Sequence, residues 1–453
     1  MEDSHTVTED ADEQRDPCTE NRLVEANLSP GAALGASAVA ASLIDATERR
    51  ICSVFLGTQQ YGRYGALHDD LMANLLLECL PAFVHEQKGE IAYAVRLDRQ
   101  GDPINPAQST VTVNNQVRPY LMEGYLFIHL PRQRVVVSRG LLNSMCGRTF
   151  YEVAIRASGN PSKFQKEWEE YARRHNYLRG QAFFADGEIL DRRKAYDWKS
   201  IHLPEDTRKM IQNHVDHFFR HSGLLRQLGV KPRRGLILSG PPGTGKTLLG
   251  KVLADTLGVS FMWVLPRHVK ETESFTCVLN AARFVAPAVV FLEDIDLFAE
   301  EREGNASTGL GELMNQLDGA VDNEDIVTIA TTNRLDVIEK ALRNRPGRFD
   351  RIVEIGAMDE VCRRNQLHRL LASANIASGD FNHLVAVSEG YTGAQVEELV
   401  NTLYILAVLE DNFSMAQADP SVKPVVPISR QVIEAGLDEF RVERKTKLGF
   451  HAA

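Results

Sequence analysis

At 453 residues, 43% of them hydrophobic and 25% charged, the chain has material for two or three domains with cores of their own. Its formal charge of −10 is concentrated at one end: residues 1–30 hold nine Asp and Glu against Arg15 and Arg22, a net −7. That balance argues against nucleic acid as a partner, which needs a basic footprint for the phosphate backbone. No run approaches the roughly 20 apolar residues of a membrane span, so no membrane association is expected.

The acidic head, residues 1–30, reads as a solvated, disordered tail. The six cysteines are scattered without a C-x-x-C pair, which argues against a zinc site and for a reducing, cytoplasmic compartment. Residues 32–87 look helical, with Leu71, Leu75, Leu76 and Leu80 at helical spacing. Short β-type runs follow at Ile91–Val95, Thr110–Val113, Tyr125–Ile128 and Val135–Val137, parted by Gly, Pro and Asn turns. Arg132, Arg134 and Arg139 then suggest a solvated basic sheet edge. Pro161–Asn176 reads as a polar helix with Phe164 and Trp168 on one face. Residues 31–180 thus form a small α+β domain, and 181–200 a linker.

His214, His217 and His221 fall at helical spacing, but without a carboxylate or cysteine partner they read as an amphipathic helix and not as metal ligands. Beyond Trp198 strands and helices alternate, as a parallel sheet with crossover helices requires. Gly235–Ser239, Ser260–Leu265, Ala288–Leu292 and Ile326–Thr331 are the expected strands. After Ile355 the sequence becomes mostly helical, with helices expected at 362–373, 383–387, 394–409 and 429–445.

The most specific signal is Gly240-Pro241-Pro242-Gly243-Thr244-Gly245-Lys246-Thr247, between a buried strand and a helix. A polyphosphate needs backbone N–H groups at close range, and side-chain-free glycine lets the chain curl around it. The helix that follows turns its positive dipole end and unpaired N–H groups toward the anion. Lys246 would reach the β- and γ-phosphates of a bound nucleotide, and the Thr247 hydroxyl would ligate Mg²⁺. About fifty residues on, the apolar strand ending in Glu293-Asp294-Ile295-Asp296 brings carboxylates to the sheet edge for the metal and the attacking water. Ile329–Thr332 ends in Asn333, suited to orienting that water. Arg343 to Arg351 holds Arg345 and Arg348, an arginine density that makes sense if a guanidinium reaches a neighbouring subunit's nucleotide.

These segments, with Asn315-Gln316-Leu317-Asp318-Gly319, Arg345-Pro346-Gly347-Arg348-Phe349-Asp350 and Gly390-Tyr391-Thr392-Gly393-Ala394, resemble a AAA-type ATPase module over about residues 198–450. The resemblance implies an α/β fold: a P-loop three-layer parallel sheet (201–356) with a C-terminal helical lid (357–453), preceded by the smaller α+β domain. It implies an ATP-driven ring, commonly a hexamer, remodelling a protein client held by the N-terminal domain. ATP would be held by residues 240–247 with Leu248, and by Gly393 and Ala394 of the lid. Thr247 and Glu293 would manage Mg²⁺, Asp294 would activate water, Asn333 would position it, and Arg345 and Arg348 would act in trans.

Two departures stand out. The family's acidic pair is Asp then Glu, whereas this chain has Glu293 then Asp294. That order is similar to the subgroup around the mitochondrial AAA chaperone that assembles respiratory complex III, through soluble relatives. A misplacement of about 1 Å at a reacting group can cost on the order of 10²-fold in rate. The swap therefore leaves a nucleotide-gated scaffold with little hydrolysis as the rival reading, ahead of an ATP-dependent nucleic-acid remodeller. The second departure is the missing aromatic–aliphatic–glycine tripeptide of threading unfoldases between residues 266 and 275, where Phe275 reads as core.

Overall fold

The computed structural model describes residues 36–448 apart from 99, 114–115, 146–147, 191–193, 230–232, 270–272, 298–323, 337, 339–348 and 411–424. The chain divides into two compact units, Met1–Tyr177 and Leu178–Ala453. The acidic head expected over 1–30 lies outside the described residues.

In the first unit, helix α1 (Ala36–Leu56) is followed by strand β1 (Gly62–Asp69) and helix α2 (Asp70–Glu86). Next come β2 (Glu90–Leu97), β3 (Pro103–Ile104), β4 (Ala107–Val113), β5 (Gln116–His129), β6 (Arg134–Met145), β7 (Arg148–Ala157) and α3 (Pro161–His175). The strands form an antiparallel seven-stranded sheet in the order β1-β7-β6-β5-β2-β3, with β4 paired to β5. The expected helical stretch 32–87 is therefore interrupted. Gly62–Asp69 alternates weakly in polarity, and its pairing with β7 along its own full length supplies the hydrogen bonds that its periodicity does not announce. Asp69 then caps α2, its side chain accepting from the Met72 amide at 2.8 Å.

The basic edge expected around Arg139 is corrected by the sheet order. β6 lies between β7 and β5, and Arg139 is only 1% exposed. Its guanidinium donates to Asp70 Oδ1 and Asn74 Oδ1, both at 2.6 Å, and to the Leu121 carbonyl at 3.2 Å. A buried guanidinium is tolerable only when paired in this way. α3 packs as its sequence suggests: Phe164 and Trp168 are buried, and the indole donates to the Leu76 carbonyl at 3.0 Å. Cys52, Cys79, Cys277 and Cys362 are buried, and burial pushes the Cys52 thiol up to about 11.

The second unit is built on six parallel strands. They are β8 (Ala182–Phe184), β9 (Arg233–Ser239), β10 (Ser260–Val264), β11 (Ala288–Leu292), β12 (Ile326–Thr332) and β13 (Arg351–Glu354), in the order β13-β9-β12-β11-β10-β8. β8 falls in the stretch read from sequence as linker; three residues carry too little pattern to announce a strand. α4 (Glu205–His214) and α5 (Asp216–Gln227) precede β9. His214 therefore ends one helix while His217 and His221 sit on the next, and among the described residues no three His, Cys, Asp or Glu side chains gather as a metal centre.

α6 (Lys246–Thr256) joins β9 to β10, and α7 (Glu273–Val285), with Phe275 fully buried, joins β10 to β11. The chain leaves β9 toward β10 on one side and leaves β12 toward β13 on the other. Such a reversal of strand order opens a crevice at the carboxyl ends of the strands. The apolar runs of β10 and β11, buried at every residue, are what a central parallel strand requires.

The C-terminal part has helices α8 (Glu360–Leu370), α9 (Ser378–Val387), α10 (Gly393–Glu410) and α11 (Arg430–Leu448). A two-stranded parallel pair, β14 (Ala374–Ile376) with β15 (Val426–Ile428), holds the ends of this cluster together, an element not expected from sequence. Leu367, Leu384, Leu399, Leu403, Ile433 and Leu437 form its core. No helix among the described residues is long and apolar enough to cross a membrane.

Candidate nucleotide site

The glycine-rich loop leaves the carboxyl end of β9 at the crevice. Gly240, Gly243 and Gly245 have φ of +155°, +80° and +101°, conformations that L side chains rarely adopt. Two of them also lack room: a Cβ on Gly240 would stand 2.0 Å from the Ile355 carbonyl oxygen, and one on Gly243 would stand 2.9 Å from Ala394 Cβ. Gly240→Ala is therefore expected to displace the loop. The strained backbone alone costs roughly 1–3 kcal/mol, so the variant should melt below wild type and lose nucleotide binding. Thermal melting and calorimetric titration with ATP check both.

Thr244 donates from its hydroxyl to the Pro241 carbonyl at 2.9 Å, closing the loop on itself. Gly245 is the N-cap of α6, so the first amides of that helix face the loop's interior. Pro241 and Pro242 are exposed at its outer rim and Leu248 is partly buried in the first turn of α6. Lys246 is nearly buried, and its Nζ donates to the carbonyls of Gly240 at 2.6 Å and Pro241 at 2.9 Å. Burial holds its pKa below the usual lysine value, with Asp294 and Asp296 opposing that shift. The ammonium thus rests on exchangeable carbonyl acceptors inside the loop.

The acids lie just past the end of β11. Glu293 accepts from the Thr247 hydroxyl on Oε1 and from the Trp263 indole on Oε2, the latter at 2.9 Å. Asp294 has φ +51°, a left-handed conformation that Asp and Asn tolerate better than most residues. Its amide donates to Thr331 Oγ1 at 2.9 Å, and its Oδ1 accepts from Asn333 Nδ2 at 3.2 Å. Burial raises the Asp294 pKa, with Glu293 and Asp296 adding to the rise and Lys246 and Asn333 opposing it. Asp296 braces the ends of β11 and β12: its Oδ1 accepts from Thr332 Oγ1 at 2.7 Å and the Asn333 amide at 3.2 Å.

On the lid side the Ala394 amide donates to the Gly243 carbonyl at 3.0 Å, and Gln366 Nε2 donates to the Gly393 carbonyl at 2.9 Å. The structure therefore gathers residues 240–248, Glu293, Asp294, Asn333, Gly393 and Ala394 at one crevice. Arg345, Arg348 and the 315–319 segment lie outside the described residues. Sequence reading missed Trp263 and the bracing role of Asp296. Trp263 carries no motif signal, whereas the acid two residues past Asp294 was in view without an assigned task.

A loop with three glycines at positive φ, lying at a helix N-terminus, suits a polyphosphate. The donor pair beside it, one hydroxyl and one carboxylate, suits Mg²⁺, which takes few protein oxygens and completes its shell with phosphate and water. The family model described as "ATPase family associated with various cellular activities (AAA)" matches residues 236–357.

Over those residues the chain is similar to the AAA family.

Relatives agree. "ATPase family gene 2 protein homolog A" of Homo sapiens is 30% identical over 277 residues, 56% of this chain and 30% of that protein. "ATP-dependent zinc metalloprotease FtsH" of Mycoplasmopsis synoviae is 32% identical over 229 residues, 47% of this chain and 34% of that protein. The chain thus spans about a third of the length of these curated relatives. The solved structure of the FIGL-1 AAA domain in complex with ADP matches at 21% identity and a TM-score of 0.45, over 54% of this chain and 84% of that one. The region that matches the AAA family has the α/β P-loop fold, and an α+β region precedes it.

Proposed function

We propose that this chain binds and hydrolyses ATP through its AAA domain, as a ring of identical subunits, commonly six, that remodels a protein client. One observation carries this reading. At the carboxyl ends of three neighbouring strands, Thr247 is bonded to Glu293 while Asp294 is bonded to Asn333. The first pair offers a hydroxyl and a carboxylate to a metal, and the second offers a base and an amide to a water.

In this reading the loop amides and Lys246 take the phosphates, the ammonium exchanging its two carbonyl acceptors for phosphate oxygens. Thr247 and Glu293 would hold Mg²⁺, which would neutralise phosphate charge when bound. Asp294 takes the proton of the attacking water, which Asn333 orients. Arg345 and Arg348 serve the neighbouring subunit's site, which a head-to-tail interface that closes on itself allows. Catalysis is positioning plus electrostatics, with no covalent intermediate. The client is a protein held by residues 31–180, joined through 181–200 to the ATPase region, and the setting is the reducing cytoplasm. The Glu-Asp order keeps kinship with soluble relatives of the complex III assembly chaperone as the proposed subgroup.

The test is steady-state ATP hydrolysis against protein concentration, with Lys246→Ala as control. Turnover per subunit that rises with concentration and vanishes in Lys246→Ala supports an active ring. If wild type binds ATP yet turns over no faster than Lys246→Ala, the acid swap has disabled hydrolysis, and the nucleotide-gated scaffold replaces this reading.

A further inference from the structure

We propose that Trp263 is a positioning residue for Glu293, and that the indole with Gly250 is what allows a glutamate to stand where the resemblance leads one to expect an aspartate. The inference rests on the reading that Glu293 and Thr247 form the metal-side pair. A glutamate is one methylene longer than an aspartate and has one more torsion to fix. Left to itself its carboxylate would sweep an arc in front of Thr247. Here both oxygens are engaged, Oε1 by the Thr247 hydroxyl and Oε2 by the Trp263 indole at 2.9 Å. The head group is thereby held at two points.

The indole is itself fixed. Trp263 is 3% exposed and stands in register with Phe291 on the neighbouring parallel strand. Its ring lies 4.7 Å from that of Phe291 and 5.8 Å from that of Phe261, centroid to centroid. The Glu293 amide donates to the Val264 carbonyl at 3.0 Å, which ties the acid's backbone to the same strand that bears the tryptophan.

Room for the ring comes from the helix above. A Cβ on Gly250 would stand 2.9 Å from Trp263 Cη2 and 2.7 Å from Phe291 Cζ. Glycine in a helix interior is unfavourable relative to alanine, so its presence in α6 needs a reason, and the indole supplies one. Three elements thus cooperate: the glycine of α6 makes space, β10 supplies the N–H, and the end of β11 supplies the carboxylate. Trp263 touches no nucleotide position in this scheme and acts only through Glu293.

The test has a readout independent of turnover. The full-length, metal-free chain is labelled with ¹⁵N-indole; its three tryptophans are Trp168, Trp198 and Trp263. The resonance absent from Trp263→Phe belongs to Trp263. It is expected to move on Glu293→Ala, which removes its charged acceptor, and on Gly250→Ala, which crowds the ring. A resonance unmoved by Glu293→Ala overturns the proposal.

In turnover assays Trp263→Phe, which keeps the ring and loses the N–H, is expected to raise the Mg²⁺ concentration for half-maximal rate by about 10–100-fold. Its metal-free ATP affinity should hold. In a Glu293→Asp background, where the shorter acid falls short of the indole, Trp263→Phe should change nothing further. An equal effect in both backgrounds would mean that the tryptophan acts only as core. If wild type hydrolyses no ATP, the proposed function fails, while the metal-free resonance still decides the indole contact.

Discussion

Arg348→Ala is expected to lower ATP turnover by about 10³–10⁵-fold, the range of arginine fingers in general, while leaving ATP affinity close to wild type. The proposed role in trans predicts that the effect crosses a subunit boundary. The Asp350 amide donates to the Gly235 carbonyl at 2.8 Å, and its Oδ2 accepts from the Gly235 amide at 3.0 Å. β13 therefore begins at the amino end of β9, with Arg351 beside Leu236. The phosphate loop leaves β9 at the other end, about 16 Å further along at the rise of a parallel strand. The chain thus enters β13 at the end of β9 opposite its own phosphate loop. Mixing supplies the check. Lys246→Ala and Arg348→Ala should each be inactive alone, and random co-assembly through head-to-tail contacts should complete about a quarter of the sites. No recovery on mixing would mean that each subunit completes its own site.

The second large effect is at Asp294. Asn at this position should lower turnover by about 10²–10⁴-fold, the usual contribution of a general base, and leave a protein that binds ATP without releasing product. The substitution is conservative in the structural sense. Asn tolerates the left-handed backbone at φ +51°, and the amide bond to Thr331 Oγ1 is unaffected. Only the charge is lost.

Two pH effects follow from the raised Asp294 pKa, set first by burial and then by Glu293 and Asp296. As the base works ionised, the acid limb of the wild-type rate profile should lie above the ordinary carboxylate range. Stability runs the other way. The native state holds this proton more tightly than the unfolded chain does, so the stabilisation from the protonated form is lost as pH rises through the raised value. Asp294→Asn escapes that loss. It should melt above wild type at neutral pH, and the advantage should vanish below about pH 4, where both states are protonated. Melting curves at the two pH values read this directly.

Where the chemistry is local in the chain, the sequence was enough to expect it. Residues 240–247 are contiguous, their glycines answer to dihedral angles that other residues rarely adopt, and the structure places each at the crevice. Glu293, Asp294 and Asn333 were legible because acids or amides ending apolar strands have few other reasons to be there. Trp263 was not legible, because its partner is thirty residues away and an aromatic residue in a buried strand is ordinary core by pattern. Arg139 misled for a related reason. Its partners Asp70 and Asn74 come from α2, nearly seventy positions earlier, so only the fold could show that a basic strand was buried and not a solvated edge. β8 and β1 were hidden because their hydrogen bonds belong to their neighbours' registers and not to their own composition.

The bond between the Ala394 amide and the Gly243 carbonyl sets a mechanical gain. It joins the phosphate loop to the first turn of α10, a helix of 18 residues that extends about 27 Å from that point. A rotation of about 10° at Ala394 would carry the Glu410 end through about 5 Å. The joint is backbone to backbone and depends on Gly243, where a Cβ would stand 2.9 Å from Ala394 Cβ. α10 is thus a straight arm fixed at one end to the phosphate loop, so that any rotation at that joint is amplified along its length.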